Sequence, residues 1–269
     1  MTHILVTNDD GVFSPGLLAL KRALDGVGEV SVIAPDRNRS AIGRGITVHD
    51  PLHVEQVELE DGTVAYATDG TPVDCVRFAV LGLVGSVPDV VVSGINMGVN
   101  LGDDVTYSGT VAAALEGVLL GWPAIAVSQQ HSGPSDERWE ARNYDFSAVC
   151  EFVPQLLPLI TEHRLPRRVL LNVNAPAVPA ARPATARVTR LGRRIYYDKL
   201  IVDGTDGPRT RYSIYGEPPG HHAAPGTDFA AIDDGAISVS PLHFELTDEQ
   251  GLEPLRALMN DLGIGGTTA

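Results

Sequence analysis

The chain has 269 residues, 43% of them hydrophobic and 20% charged, which suits a globular protein with a sizeable core and at most two folding units rather than a disordered chain. Thirty-four acidic against 20 basic side chains give a net charge of −14; such a surface repels polyphosphate backbones and excludes a non-specific nucleic-acid binder, while a small anionic substrate stays possible at a locally positive site. No apolar run approaches the ~20 residues needed to cross a bilayer, and the first residues lack a basic stretch followed by an apolar core, so a cytoplasmic protein with no membrane partner is expected.

In chain order, Ile4-Leu5-Val6 reads as a short strand, followed by the turn-like Asn8-Asp9-Asp10-Gly11 and a helix opened by Ser14-Pro15, with Leu17, Leu20 and Leu24 at helical spacing. Val30 to Ala34 is a second strand. Thr71-Pro72 opens a helix carrying Val73, Val76 and Val80, and Val90-Val91-Val92 is an apolar strand of the buried parallel type. A glycine-rich loop, a helix from Gly109 to Leu120 and a strand from Ala124 to Val127 follow, then a helical stretch from Asp145 to His163 and a strand from Val169 to Val173. Cys75 and Cys150 lie in helical patterns and read as core residues rather than a disulfide framework. Strands alternating with helices predict an α/β fold: a three-layer αβα, Rossmann-like, doubly wound and mostly parallel sheet. Beyond Pro176 prolines and polar–apolar alternation mark a change of character. We therefore expect a catalytic core over 1–177 and, over 178–269, a hairpin, a closing strand and a helix that serve oligomerisation.

Ligands of such sheets bind at the carboxyl ends of the strands. Three loops emerge there: Asp9-Asp10, Arg37 to Ser40, and Ser93 to Asn96. Adjacent carboxylates repel and are costly to bury unless something neutralises them. Acidic residues ahead of a helix and an Asn-Asp-Asp-Gly turn are also ordinary local chemistry, so the pair acquires meaning from its company. Asp9 and Asp10 offer anionic oxygens, Ser40 a hydroxyl and Asn96 an amide carbonyl. This all-oxygen set suits Mg²⁺ or Mn²⁺ and not a thiolate or imidazole zinc site. Glycines at 94, 98 and 102 allow close backbone approach, and Ser108-Gly109-Thr110 begins a helix whose free N–H groups attract phosphate, or simply caps it. Arg37, Arg39 and Arg44 flank Ser40 and could draw in an anion, Gly43 and Gly45 give that loop the freedom of a lid, and His221-His222 reads as a solvated loop.

The segments ILVTNDDG, APDRNRSAIGRGIT, SGINMGVNLGDDVTYSGTVAAALEG and GTDFAAIDDGAISVSPL resemble, in order, the motifs of the SurE family of stationary-phase survival nucleotidases, over residues 4 to about 242. The resemblance implies one divalent cation per subunit, Mg²⁺ or Mn²⁺, on Asp9, Asp10, Ser40 and Asn96. It implies a phosphomonoesterase acting on nucleoside 5′- and 3′-monophosphates, with short polyphosphate as a side substrate. Asn96 and Ser108-Gly109-Thr110 would hold the phosphate, and Asp9 is the first choice to orient or deprotonate the attacking water, although Asp10 could do that job as well. It also implies a homodimer or tetramer that exchanges C-terminal elements, consistent with the apolar Ile195 to Val202 segment and the helical pattern from Thr247 to Leu262.

Two other readings exist. Haloacid-dehalogenase-like phosphatases use an aspartyl nucleophile, but their aspartates stand one residue apart and these are adjacent. Receiver-type phosphorylation switches carry adjacent acids after strand one, yet need an aspartate after a central strand, where this chain has Ser93 to Asn96.

Overall fold

The computed structural model describes residues 1–133, 143–162, 165–166, 168–179, 181, 184–214, 216–262 and 264. At its centre is β1 (His3–Thr7), whose Ile4 and Val6 face one side of a nine-stranded sheet and Leu5 the other, so that a run apolar at every position is buried between two helical layers. β2 (Glu29–Pro35) and β5 (Val90–Met97) pair with it in parallel on opposite sides.

Outside β2 lies a pair that the apolar pattern does not announce, β3 (Val54–Glu58) and β4 (Val64–Thr68). β3 is an edge strand with Val54 and Val57 only half-buried, which explains its weak signal. β6 (Ala124–Gln129) and β7 (Val169–Ala175) continue the parallel sheet beyond β5. The strand order thus reverses between β1 and β5, and the crevice outside their carboxyl ends is where such sheets receive ligands.

α1 (Pro15–Leu24) and α4 (Ser147–Thr161) cover one face, while α2 (Pro72–Val80) and α3 (Gly109–Leu119) cover the other. Leu17, Leu20 and Leu24 of α1 are buried as their spacing predicts. A Cβ on Gly16 would lie 2.1 Å from the Ile95 carbonyl oxygen, so only glycine lets α1 settle on β5. α4 is shorter than the expected 145–163 stretch, and His163 lies outside the described residues. Cys75 in α2 and Cys150 in α4 are free thiols; burial pushes the first well above the usual range and the second up to about 11.

The C-terminal stretch contributes to two places. β8 (Ala186–Val188) and β13 (Ile237–His243) extend the main sheet past β7, with β13 antiparallel to it. β9 (Arg194–Tyr197) pairs with β12 (Glu217–His221), and between them β10 (Ile201–Asp206) and β11 (Arg209–Ser213) form the hairpin. α5 (Asp228–Asp233) precedes β13, and α6 (Glu249–Asp261) has no buried residue. Ala180, Arg182, Pro183 and Tyr215, in the proline-rich and hairpin stretches, lie outside the described residues.

Candidate active site

Asp9 and Asp10 leave the carboxyl end of β1 at the strand-order reversal. Asn8 builds the turn that presents them, its side chain donating to the Gly11 carbonyl at 3.0 Å and accepting from the Gly11 N–H at 3.2 Å. The ordinary turn chemistry of this tetrapeptide is therefore real, and it falls to Asn8.

Asp9 is buried against the start of α3. Its Oδ1 accepts a hydrogen bond from the Thr110 hydroxyl at 2.5 Å, and backbone N–H groups of Gly109 and Thr110 also support the carboxylate. A Cβ on Gly109 would come within 2.7 Å of Asp9 Cβ, so glycine is what admits the helix end this close. Burial still raises the Asp9 carboxyl, the hydrogen bonds only opposing the shift. Asp10 Oδ2 accepts from the Met97 N–H at 3.0 Å, whereas its Oδ1 is buried with no hydrogen-bond partner among the described residues. Burial first, and the Asp9 charge second, push the Asp10 carboxyl up to about 7.

Asn96 ends β5 beside them. Its amide nitrogen donates to the Gly98 carbonyl at 2.7 Å, which leaves the amide oxygen free to accept. Ser40 is exposed on the loop after β2, which is tied to the carboxylate turn because the Arg39 N–H donates to the Asp9 carbonyl at 2.7 Å. Ser108 caps α3, its Oγ accepting from the Val111 N–H at 3.1 Å.

A divalent cation fits this set. No group of three or more His, Cys, Asp or Glu side chains among the described residues could hold a metal. Two adjacent carboxylates, one of them with a buried and orphaned oxygen, are tied through the Arg39 N–H to the loop that carries Ser40 and through the Met97 N–H to the strand end that carries Asn96, and such an all-oxygen set is what a hard cation satisfies.

The flanking arginines have other work. Arg44 pairs with buried Glu116 at 2.6 Å, Arg37 with Asp36 at 3.3 Å, and Arg39 donates to the Asp69 carbonyl. The Gly43–Gly45 loop is fastened as well, through the Gly43 N–H to the Tyr107 carbonyl at 2.9 Å and the Thr71 hydroxyl to the Gly45 carbonyl at 2.8 Å. His221 is half-buried rather than solvated: its ring stacks on Phe229 at 4.5 Å and bonds Asp233 at 3.0 Å. The residue that the sequence reading passed over is Asp228, fully buried in α5; its signal was a Thr-Asp pair opening a helix, which resembles any cap.

The family profile described as Survival protein SurE matches residues 4–198. The chain belongs to the SurE family. A Rubrobacter xylanophilus protein named 5′-nucleotidase SurE is 52% identical over 256 residues, spanning 95% of this chain and 96% of its own. One of the same name from Chloroflexus aggregans is 49% identical, over 94% of this chain and 98% of its own. The crystal structure of SurE from Aquifex aeolicus superposes with a TM-score of 0.75 at 34% identity, covering 95% of this chain and 99% of that one, so the Rossmann-like α/β architecture is that of SurE.

Proposed function

We propose that this SurE-family chain is a divalent-metal-dependent phosphomonoesterase, releasing phosphate from nucleoside 5′- and 3′-monophosphates and, as a side activity, from short polyphosphate. The observation that carries this reading is the Asp9-Asp10 pair, with Asp9 buried against the N-terminus of α3 and a buried, orphaned oxygen on Asp10, at the strand-order reversal. Relatives 52% and 49% identical and named 5′-nucleotidase support the nucleotide as substrate.

Asp9, Asp10, Ser40 and Asn96 would hold one Mg²⁺ or Mn²⁺ per subunit. Such a cation, when bound, offsets the carboxylate charges and polarises a phosphoryl oxygen. The phosphate would lie between Asn96 and the Ser108-Gly109-Thr110 end of α3, held by the field of the helix terminus, because the Ser108 and Thr110 hydroxyls are already engaged. With the Asp9 carboxylate gripped by Thr110, Asp10 rather than Asp9 is the freer of the two to orient the attacking water.

Chelation should abolish release of phosphate from p-nitrophenyl phosphate and nucleoside monophosphates, with Mn²⁺ or Mg²⁺ restoring it; activity that survives chelation, or that requires Zn²⁺, would contradict the site. A trapped aspartyl-phosphate would point to the dehalogenase-like route, and no turnover on any nucleotide to a phosphorylation switch.

Residues 1–177 would form the catalytic part, with 178–269 serving assembly while lending β8 and β13 to the main sheet. Leu200, Val202 and Tyr212 are more than half exposed on the hairpin, as are Leu255 and Leu258 on α6. Such surfaces favour a homodimer or tetramer with exchanged C-terminal elements. Light scattering should give a dimer or tetramer, and a monomer at micromolar concentration would sink the idea. No helix among the described residues is long and apolar enough to cross a membrane.

A further inference from the structure

Asp228, the first residue of α5, is fully buried, and its carboxylate accepts three backbone hydrogen bonds: from Gly102 at 2.7 Å on Oδ2, and from Gly192 at 2.8 Å and Phe229 at 2.9 Å on Oδ1. These donors make the burial of a carboxylate tolerable, and they also show what it joins. Gly102 opens the 3₁₀ turn Gly102–Thr106, which leads through Tyr107 into Ser108-Gly109-Thr110, whereas Gly192 lies at the root of β9.

The clamp closes tightly. A Cβ on Gly102 would meet a Phe229 ring carbon at 2.7 Å and one on Gly192 would meet the ring at 2.5 Å, so both loops need glycine where Asp228 and Phe229 grip them; Gly102 also has φ +53°. The turn is gripped a second time from β9, where the Arg194 guanidinium bonds Asp104 at 2.6 Å and the Arg194 N–H donates to Asp103 at 2.8 Å.

The other end of the same segment is fixed independently. The Asn100 N–H donates to Asn174 Oδ1 at 2.7 Å, and the Asn100 carbonyl accepts from the Asn172 and Asn174 amides at 2.9 and 3.1 Å. Residues 96–110 therefore form an arch: the asparagines on β7 hold the foot that bears Asn96, and Asp228 holds the span that delivers Thr110 to Asp9.

The geometry points to Asp228 as a positioning residue for the phosphate-facing end of α3, acting through Gly102. This rests on the reading of that helix end as the phosphate seat. Asp228→Asn keeps the shape but turns one acceptor into a donor, so one of the two loops is released.

In the full-length chain, Asp228→Asn should raise the inhibition constant of inorganic phosphate and lower kcat on p-nitrophenyl phosphate, each by about tenfold, as for one displaced contact to a charged group. Mn²⁺ affinity, read from the spectrum of the free ion, should stay within about threefold because Asn96 is held separately. A role confined to folding would lower the thermal midpoint and leave these constants unchanged in the folded protein, and that result overturns the proposal.

Should the variant not fold, hydrogen exchange in the unsubstituted chain with Mn²⁺ decides. Added phosphate should slow exchange at Gly102, Gly192 and Phe229, because coupling between the seat and the clamp is reciprocal. No slowing there, in protein that does bind phosphate, overturns this inference alone. An unsubstituted chain that binds no phosphate overturns it together with the functional reading.

Discussion

Asp10→Asn is expected to cut turnover on p-nitrophenyl phosphate by roughly two to three orders of magnitude, the scale of losing one preorganised electrostatic group, while leaving the chelated protein at least as stable as the unsubstituted chain at pH 8. The two effects share one cause. Asp10 is half-buried, with one carboxylate oxygen shut away from solvent beside another carboxylate, and its carboxyl is pushed from 3.8 up to about 7. Between those values the folded chain binds more protons at Asp10 than the unfolded chain, so stability falls as pH rises through this window and its loss is complete above the folded value. Asparagine has no proton to lose. The difference in thermal midpoint between variant and parent, measured in chelator, should therefore grow from pH 5 to pH 8 in favour of the variant. Saturating Mn²⁺ should erase or reverse it, since the cation stabilises only the intact pair. A variant that melts lower than its parent in chelator at pH 8 would show that Asp10 is a structural acceptor, bound to Met97 and little else. Near-normal turnover would remove it from the site.

The parts of this site that local chemistry dictates were legible before any coordinates. An apolar run followed by Asn-Asp-Asp-Gly can only be a strand delivering a turn, and alternation of strands with capped helices brings Asp9, Asp10 and Asn96 to one edge. What was not legible depends on partners distant in the chain. Arg44 looks like a free cation beside Ser40 until Glu116, 72 residues on, takes it. Gly43 and Gly45 suggest mobility, yet backbone bonds to Tyr107 and Thr71 hold them. His221 looks like part of a polar loop and is stacked on Phe229. β3 escapes notice because an edge strand with one half-buried face has no strong periodic signal. Asp228 is the sharpest case: a carboxylate opening a short helix has a local explanation, and only the approach of Gly102, 126 residues earlier, reveals a second one.

Thr110→Val should damage the enzyme more than Ser108→Ala, although the two hydroxyls lie two residues apart at one helix end. The Thr110 hydroxyl is buried and donates at 2.5 Å to the Asp9 carboxylate. Valine keeps the volume and removes the donor, so Asp9 loses a hydrogen bond to a charged group, about 1.5–3 kcal/mol. Converted to rate, that is about ten- to a hundredfold in kcat/KM if the bond is kept through the reaction. The same loss removes the strongest influence opposing the upward shift of Asp9, so the carboxyl rises further and gives up its proton to a cation less readily. More Mn²⁺ should therefore be needed for half-maximal rate. Ser108 instead accepts from the Val111 N–H as the cap of α3. Alanine there should cost about 1 kcal/mol of stability and lower the thermal midpoint by about 2–4 °C in a chain of this size. Phosphate inhibition and Mn²⁺ dependence should change little, because the Ser108 hydroxyl is engaged by the Val111 N–H rather than turned to a ligand. Steady-state kinetics of the two variants across a Mn²⁺ series settle the matter. Should Ser108→Ala raise the phosphate inhibition constant more than Thr110→Val does, the serine hydroxyl faces substrate and the cap is incidental.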